Sequence, residues 1–423
     1  IDSVLVGFSM LAISASAVAW FMAPTLLSWF FPTLAAGATF PTLITLTRIL
    51  LLQPIFLGFS NIFAAVTQSR HRYMLYASAP IVYNLGIIVG IIFLYPMLGL
   101  SGIAWGVVLG ATLHAVIQIP TILRDGFFQT FSFGVEMREF FDTIRISLPR
   151  ALALSMNQLA FLGLLIIASG LTTGSISIFM FAFNLHALPL AIIGASYSVA
   201  AFPTLAQLSK SGSEEFMPYV ATAARHVLFW SLPALMLIII LRAHVVRVVL
   251  GSGEFNWTDT RLTAAAFALF AVSLAAQGLT LLLVRAYYAS GKTLVPLVVS
   301  FLSALSAILL GFVMLRVFQD PNFLPFIEAL FRVELVRGTE ILALPLAYSL
   351  ASLLGVFALI LHFNLANKGF FFSIARALGE SVTAAFVGAI AAYGTLVIFG
   401  TVTFASTLAS VLTRGGVAGL VGL

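Results

Sequence analysis

The chain has 423 residues, of which 61% are hydrophobic and only 8% charged. A soluble globular domain is about half apolar and a quarter charged, so this composition excludes one. With 20 Lys+Arg against 14 Asp+Glu and no cysteine, the positive excess belongs to loops at a membrane surface, and disulfides, thiolate metal sites and thiol catalysis are excluded. A basic chain of this hydropathy is expected to contact anionic lipid and no nucleic acid.

A bilayer core about 30 Å thick takes roughly 20 apolar residues per helix. Apolar runs fall at 3–22, 42–67, 74–95, 101–121, 147–168, 176–202, 227–241, 264–289, 294–315, 341–363 and 380–399, and a last one begins near 412. They predict an all-α polytopic membrane protein with eleven complete spans and the start of a twelfth. The chain begins at Ile1 without methionine and ends on an apolar half-span, and is expected to be a fragment. Its first segment lacks a small-residue cleavage site and does not read as a signal peptide. Pro54, Pro80, Pro189 and Pro233 fall inside spans, as in transporter helices whose kinks line cavities.

Orientation follows from the Lys and Arg of the connections. The loops 21–41, 96–100 and 169–175 carry none, whereas 68–73 has Arg70 and Arg72, 122–150 has Arg124, Arg138, Arg145 and Arg150, and 203–226 has Lys210 and Arg225. This alternation places the second group in the cytoplasm. The later half departs from it, with Arg242, Arg247, Arg261, Arg316, Arg332 and Arg337 on the predicted outer side. Phe127, Phe128, Phe131 and Phe133 beside Arg124 and Arg138 predict an interfacial helix in the 122–146 connection.

Ionisable and amide groups inside spans are the candidates for function. No Asp or Glu lies deep in a predicted span, and Glu380 stands at a helix start. That lack disfavours proton- or sodium-coupled drug export and metal-dependent transferase chemistry, and no cofactor is expected. Arg48 lies one or two turns into its helix, where it either snorkels to the outer interface or meets an anionic substrate. Arg150, after Pro149, is an inner-leaflet anchor or a substrate contact, and Arg285 is either an anchor or a phosphate ligand. Of the adjacent amides Asn157 and Gln158, at least one is expected to face a cavity or another helix. Asn184 and His186 are two residues apart, about 200° on a helix, so one of them is structural. Asn84 and His114 read as interhelical hydrogen bonds ahead of substrate contacts. His-x-x-x-His, Gly-x-Ser-x-Gly and Walker patterns do not occur, so no catalytic constellation is expected.

A series of segments carries a family resemblance: Leu46-Thr47-Arg48 running to Gln53-Pro54-Ile55, Ala79-Pro80-Ile81-Val82-Tyr83-Asn84, Ala104-Trp105-Gly106, and Leu148-Pro149-Arg150 with Asn157-Gln158. Leu188-Pro189-Leu190 and Phe202-Pro203-Thr204-Leu205 follow, and Gly251-Ser252-Gly253-Glu254-Phe255 and Val284-Arg285-Ala286-Tyr287-Tyr288 are the most specific. In this order they resemble the MurJ (MviN) family of lipid II flippases, within the superfamily of multidrug and oligosaccharidyl-lipid exporters. The resemblance implies about 12 of fourteen transmembrane helices in a two-lobed transporter, from the third helix onward. It divides the chain into lobe helices at 1–121, a cytoplasmic linker at 122–146, second-lobe helices at 147–315, an outer connection at 316–340 and groove helices at 341–423.

It also implies alternating-access flipping of lipid II, an undecaprenyl-pyrophosphate-linked sugar, in the bacterial cytoplasmic membrane. A monomer is expected, with cell-wall synthesis proteins as further partners. The head group would be held by Arg48, Asn84, Arg150, Asn157, Gln158, Asn184, His186 and Arg285. The family's arginine-rich first helix is absent from the chain, and Phe183-Asn184 stands where the family has an aspartate-arginine pair before its Leu-x-x-x-Pro turn. The competing readings are a flippase for another lipid-linked polysaccharide, a small-molecule exporter, and a non-transporting cell-wall scaffold.

Overall fold

The computed structural model describes residues 2–69, 73–124, 137–400, 402–403 and 406–423. Among these there is no strand, and the chain clusters into two compact units, Ile1–Ser147 and Leu148–Leu423. Twelve apolar helical segments fall where the twelve runs predict them. Nine are long enough to cross a membrane singly and a tenth is a pair bent by 43°, while Leu100–Val116 and Leu408–Gly422 are shorter. Arg70, Arg72 and the phenylalanines of the predicted interfacial helix lie outside the described residues.

The first unit runs through α1 (Asp2–Phe30), α2 (Pro32–Ala35), α3 (Phe40–Leu50), α4 (Gln53–Ser69), α5 (Tyr73–Val89), a π-turn at Gly90–Leu94, α6 (Tyr95–Leu98), α7 (Leu100–Val116) and α8 (Ile119–Arg124). Its central contact is α5 on α7, and glycine makes it. Gly86 and Gly90 face Gly110 and Gly106 across the pair. A Cβ at Gly86 would stand 2.3 Å from the Gly110 Cα, and one at Gly90 2.5 Å from the Gly106 Cα. Lipid tails are as apolar as leucine, so membrane helices associate through such close backbone packing rather than through hydrophobic transfer.

The second unit begins within α9 (Met137–Ser169) and continues through α10 (Ser175–Leu190), a π-turn at Ala191–Ala195, α11 (Ser196–Lys210), α12 (Phe216–Leu250), α13 (Trp257–Ala271) and α14 (Leu274–Ala289). It ends with α15 (Leu294–Val317), α16 (Phe323–Phe331), a 3-10 turn at Thr339–Leu342, α17 (Ala343–Ala366), α18 (Phe370–Phe399) and α19 (Leu408–Gly422). α15 packs along α17, α12 along α18, and α19 against both α12 and α18. The largest core joins Leu164, Phe179, Phe267, Phe270, Ile341 and Leu344, all nearly inaccessible. A capping box starts α13, in which Asn256 Oδ1 accepts from the Asp259 N–H and Asp259 Oδ2 from the Asn256 N–H, both at 3.0 Å.

Two expectations are corrected. α12 extends about three turns before the 227–241 run and about two and a half turns after it, because its flanking Arg and His lower the local hydropathy without breaking the helix. Glu380 is not at a helix start: α18 begins at Phe370, and Glu380 is the eleventh residue along it, paired with Arg376 at 2.8 Å on an exposed face.

Two of the arginines that break the charge rule, Arg242 and Arg261, have a structural use. Arg261 donates from Nε (2.8 Å) and Nη2 (2.5 Å) to the Arg332 carbonyl, and Arg242 Nη2 donates to the Phe331 carbonyl at 3.4 Å. Arg332 has a left-handed φ of 57° and terminates α16. Two guanidinium groups thus satisfy the carbonyl end of one short helix, where the macrodipole favours positive charge.

Candidate functional site

In the first unit, α3 carries Arg48 in its last turn, about 12 Å along the helix from Phe40. The guanidinium lies 4.2 Å from the centre of the Trp20 ring, and Nε donates to the Trp20 carbonyl at 3.2 Å. That cation–π contact orients the half-buried charge without neutralising it. Asn84 is exposed, and its Nδ2 donates to the Pro80 carbonyl one turn back at 2.9 Å, so the amide is spent within its own helix.

His114 joins a buried interhelical cluster. Ser60 Oγ is 2.6 Å from His114 Nδ1 and 2.9 Å from the His114 carbonyl, and Gln118 Nε2 donates to Ser60 Oγ at 2.5 Å. This is the interhelical role read for His114. Gln53 Nε2 likewise donates to the Tyr83 hydroxyl at 2.9 Å.

In the second unit, Asn184 and His186 separate as helix geometry requires. Asn184 is exposed, while His186 is 1% exposed and lies 5.9 Å from the Phe270 ring centre in a stacked arrangement. His186 Nε2 is 3.4 Å from Ser273 Oγ and 3.5 Å from Gln277 Nε2. Gln277 Nε2 donates to Ser273 Oγ at 2.5 Å, and the Tyr348 hydroxyl donates to Gln277 Oε1 at 3.2 Å. Phe161, Phe179, Phe183 and Phe270 surround this network with ring centres 4.5–6.5 Å apart. In so apolar a setting each polar atom needs its partner, which fixes the Gln277 and Tyr348 side chains.

Both residues open onto a cavity of about 230 Å³ within this unit. Asn157 from α9, Thr280 from α14, Ser300 and Ser303 from α15, and Ser352 from α17 complete its polar wall, and among the described residues none that lines it is charged. Gly355 leaves room at the wall, since a Cβ there would meet Ser303 Oγ at 2.2 Å. Such a surface offers donors and acceptors to a neutral hydroxylated or amide-bearing group without imposing a charge.

Of the other expected site residues, Gln158 is exposed and is not part of the cavity wall. Arg285 is half-buried on α14 and makes no hydrogen bond or ion pair with the described residues. Arg150 follows Pro149 inside α9, and its side chain lies outside the described part of the structure. Glu254 and Phe255, the end of the Gly251–Phe255 motif, line a separate pocket of about 370 Å³ with Thr172, Ser175, Asp259 and Arg337.

Sequence reading passed over Gln277, Tyr348, Ser273, Ser300 and Ser303. Gln277 is a carboxamide inside an apolar run, the same signal that singled out Asn157. The hydroxyls carry no such signal, because serine and threonine in membrane helices commonly bond the carbonyl one turn back, as Thr280 does to Ala276 at 2.9 Å.

Helices of this length and apolarity define a polytopic α-helical membrane protein, whose second unit encloses a cavity with polar side chains on its wall. The profile described as "Lipid II flippase MurJ" matches residues 1–412. The chain belongs to that family. It is 30% identical over 217 residues to a probable lipid II flippase MurJ of Bdellovibrio bacteriovorus, covering 51% of this chain and 42% of that one. To its counterpart in Thermotoga maritima it is 28% identical over 261 residues, covering 60% and 51%. It thus spans about half the length of the curated relatives it matches. Among solved structures it is similar to a lipid II flippase MurJ in an inward closed conformation, with a TM-score of 0.74, 20% identity and coverage of 100% of this chain and 82% of that one. A Vibrio cholerae MATE transporter also matches, with a TM-score of 0.61, 15% identity and coverage of 88% and 80%. Both structural likenesses concern the fold.

Proposed function

We propose that the protein translocates lipid II, the undecaprenyl-pyrophosphate-linked precursor of peptidoglycan, from the inner to the outer leaflet of the bacterial cytoplasmic membrane by alternating access. The family match along residues 1–412 carries this reading. The site chemistry agrees with it in two ways. A pyrophosphate is served by guanidinium groups, and Arg48, Arg150 and Arg285 are assigned to it. A saccharide is served by neutral amides and hydroxyls, and Asn157, with Gln158 and Asn184 as further amides, is assigned to that part.

His186 is a positioning residue in this scheme, acting through Gln277 and Tyr348. Asn84, bonded to its own helix, is kept for a conformation in which that bond opens. Residues 1–121 and 147–315 are assigned to the two lobes, with 122–146 as cytoplasmic linker, 316–340 as outer connection and 341–423 as the surface that guides the lipid tail. A monomer suffices for this mechanism.

The test is flipping by purified protein in proteoliposomes loaded with lipid II. Arg48→Ala and Asn157→Ala are expected to lower the rate while inserting normally. Wild-type rates in both variants would remove these assignments. Transport of a polysaccharide-linked lipid or a cationic drug in place of lipid II would transfer the reading to another branch of the superfamily.

A further inference from the structure

The connection between α15 and α17 holds a helix that carriage of a head group does not use. α15 and α17 have 24 residues each, about 36 Å, which just exceeds a hydrocarbon core of about 30 Å. Val317 and Ala343 therefore stand near the membrane boundary, on the outer side in the orientation that loop charge gives. α16 lies between them.

α16 is seated so that it cannot turn. Its inward face buries Ile327, which is 6% exposed and belongs to the largest core. Phe323 packs edge-on against Phe318 with ring centres 5.3 Å apart, and the Arg242 guanidinium carbon lies 5.5 Å from the centre of the Phe331 ring. Glu328 Oε1 accepts from Thr339 Oγ1 at 2.5 Å, and the two arginines described above close the carbonyl end. At the other end Asp320 Oδ1 accepts from the Asn322 and Phe323 N–H groups at 2.8 and 3.3 Å.

The outward face left by this seating is wholly apolar. Pro325 and Ala329 are exposed, as are Phe326 (61%) and Leu330 (57%). The members of each pair are one turn apart and the pairs adjoin, so they form one contiguous face. A helix facing water carries polar residues there, and an exposed apolar face marks a contact.

Its neighbours and its size decide what covers it. Leu302, Leu305, Leu309, Phe312 and Val313 form an exposed apolar stripe at helical spacing along α15. A groove of about 700 Å³ joins that stripe to α16, with Val313 and Arg316 on one wall and Phe323 and Phe326 on the other. The Arg316 guanidinium has no partner among the described residues, as suits a side chain reaching from the boundary to phosphate groups. Lipid on the α15 stripe thus continues onto α16 without a break. A protein partner would need far more surface. The face of a nine-residue helix is about 13 Å by 10 Å, roughly 130 Å², against about 800 Å² per partner in a standard protein interface.

We propose that α16 is an interfacial helix that rests its Pro325–Leu330 face in the outer leaflet, beside the lipid-facing side of α15. The chain has no cysteine, so Phe326→Cys and Leu330→Cys each supply a unique thiol for a spin label. In proteoliposomes of phosphatidylglycerol and phosphatidylethanolamine, collisions of the label with oxygen, which concentrates in hydrocarbon, are compared with those of a nickel chelate, which stays in water. Phe312→Cys on the α15 stripe and Ser252→Cys in the exposed α12–α13 connection set the lipid and water ends of the scale. Oxygen collisions are expected to exceed nickel collisions at 326 and 330, as at 312 and opposite to 252. The two outward sites are independent, so either decides the matter should the other variant fail to fold. Nickel at or above oxygen at a folded variant would put the face in water and overturn the proposal. Exclusion of both reagents from an immobilised label would put a second copy of the chain on the face and overturn it equally. Resistance of Ser252→Cys to an impermeant maleimide on spheroplasts would move the connection to the inner side and overturn the outer-leaflet assignment.

Discussion

Gly106→Ala is the sharpest probe of how the first unit holds together. The added methyl group overlaps by about 1 Å, because the Gly90 Cα faces Gly106 so closely that a Cβ would lie 2.5 Å away, where ordinary contact begins at 3.4 Å. The obstacle is backbone, so no rotamer relieves it, and α5 and α7 must separate along the whole Gly86–Gly110 seam. Overpacking of this kind typically costs 1–3 kcal/mol. About 2 kcal/mol is roughly a thirtyfold fall in the folded-to-unfolded ratio. Gly394→Ala is the matched control: that glycine lies inside α18, where a Cβ meets nothing within 4 Å. Replacing an unneeded helical glycine should stabilise by about 0.5–1 kcal/mol. Unfolding of both variants in detergent, followed by loss of helical circular dichroism against denaturant, should shift in opposite directions. Equal shifts, or a neutral Gly106→Ala, would show that glycine packing does not hold the pair.

Further outcomes follow from the polar clusters. Ser60→Ala strips the partner shared by His114 and Gln118 and should destabilise by about 1–3 kcal/mol in the same unfolding assay, since buried polar groups are left unpaired. Asn256→Ala removes half of the capping box of α13 and should cost about 1 kcal/mol, with faster amide exchange confined to that helix's first turn. Asn157→Ala should lower lipid II flipping about fivefold, the value of one neutral hydrogen bond near 1 kcal/mol, without changing stability. His186→Ala should act the other way round, lowering stability first, because it leaves Ser273 and Gln277 short of a neighbour in the aromatic core.

Helix positions were legible in the sequence wherever hydropathy alone decides. All twelve apolar runs are helices, and the two-residue spacing of Asn184 and His186 correctly demanded that they part. What hydropathy could not supply was the ends. α12 carries Arg225 and His226 before its apolar centre and Arg242, His244 and Arg247 after it, and these break the apolar run while the helix continues. The same effect hid the first ten residues of α18 and misplaced Glu380. The glycines of α5 and α7 were visible as letters, yet glycine in a membrane helix serves kinks and close packing alike, and only the facing helix shows which. Arg242 and Arg261 looked like exceptions to the charge rule until Phe331 and Arg332 were seen to offer them carbonyl groups. The cavity wall was the least legible part, being built of serines and threonines from separate helices whose proximity no local pattern records.

The central claim is that this protein moves lipid II across the membrane, and the most direct measurement is its distribution after depletion of the full-length protein in living cells. A reagent that modifies only outer-leaflet lipid II reports how much has crossed. The account predicts that depletion leaves lipid II in the inner leaflet, shielded from the reagent, and that wild-type protein restores access while Arg48→Ala restores less. An unchanged distribution after depletion would contradict it.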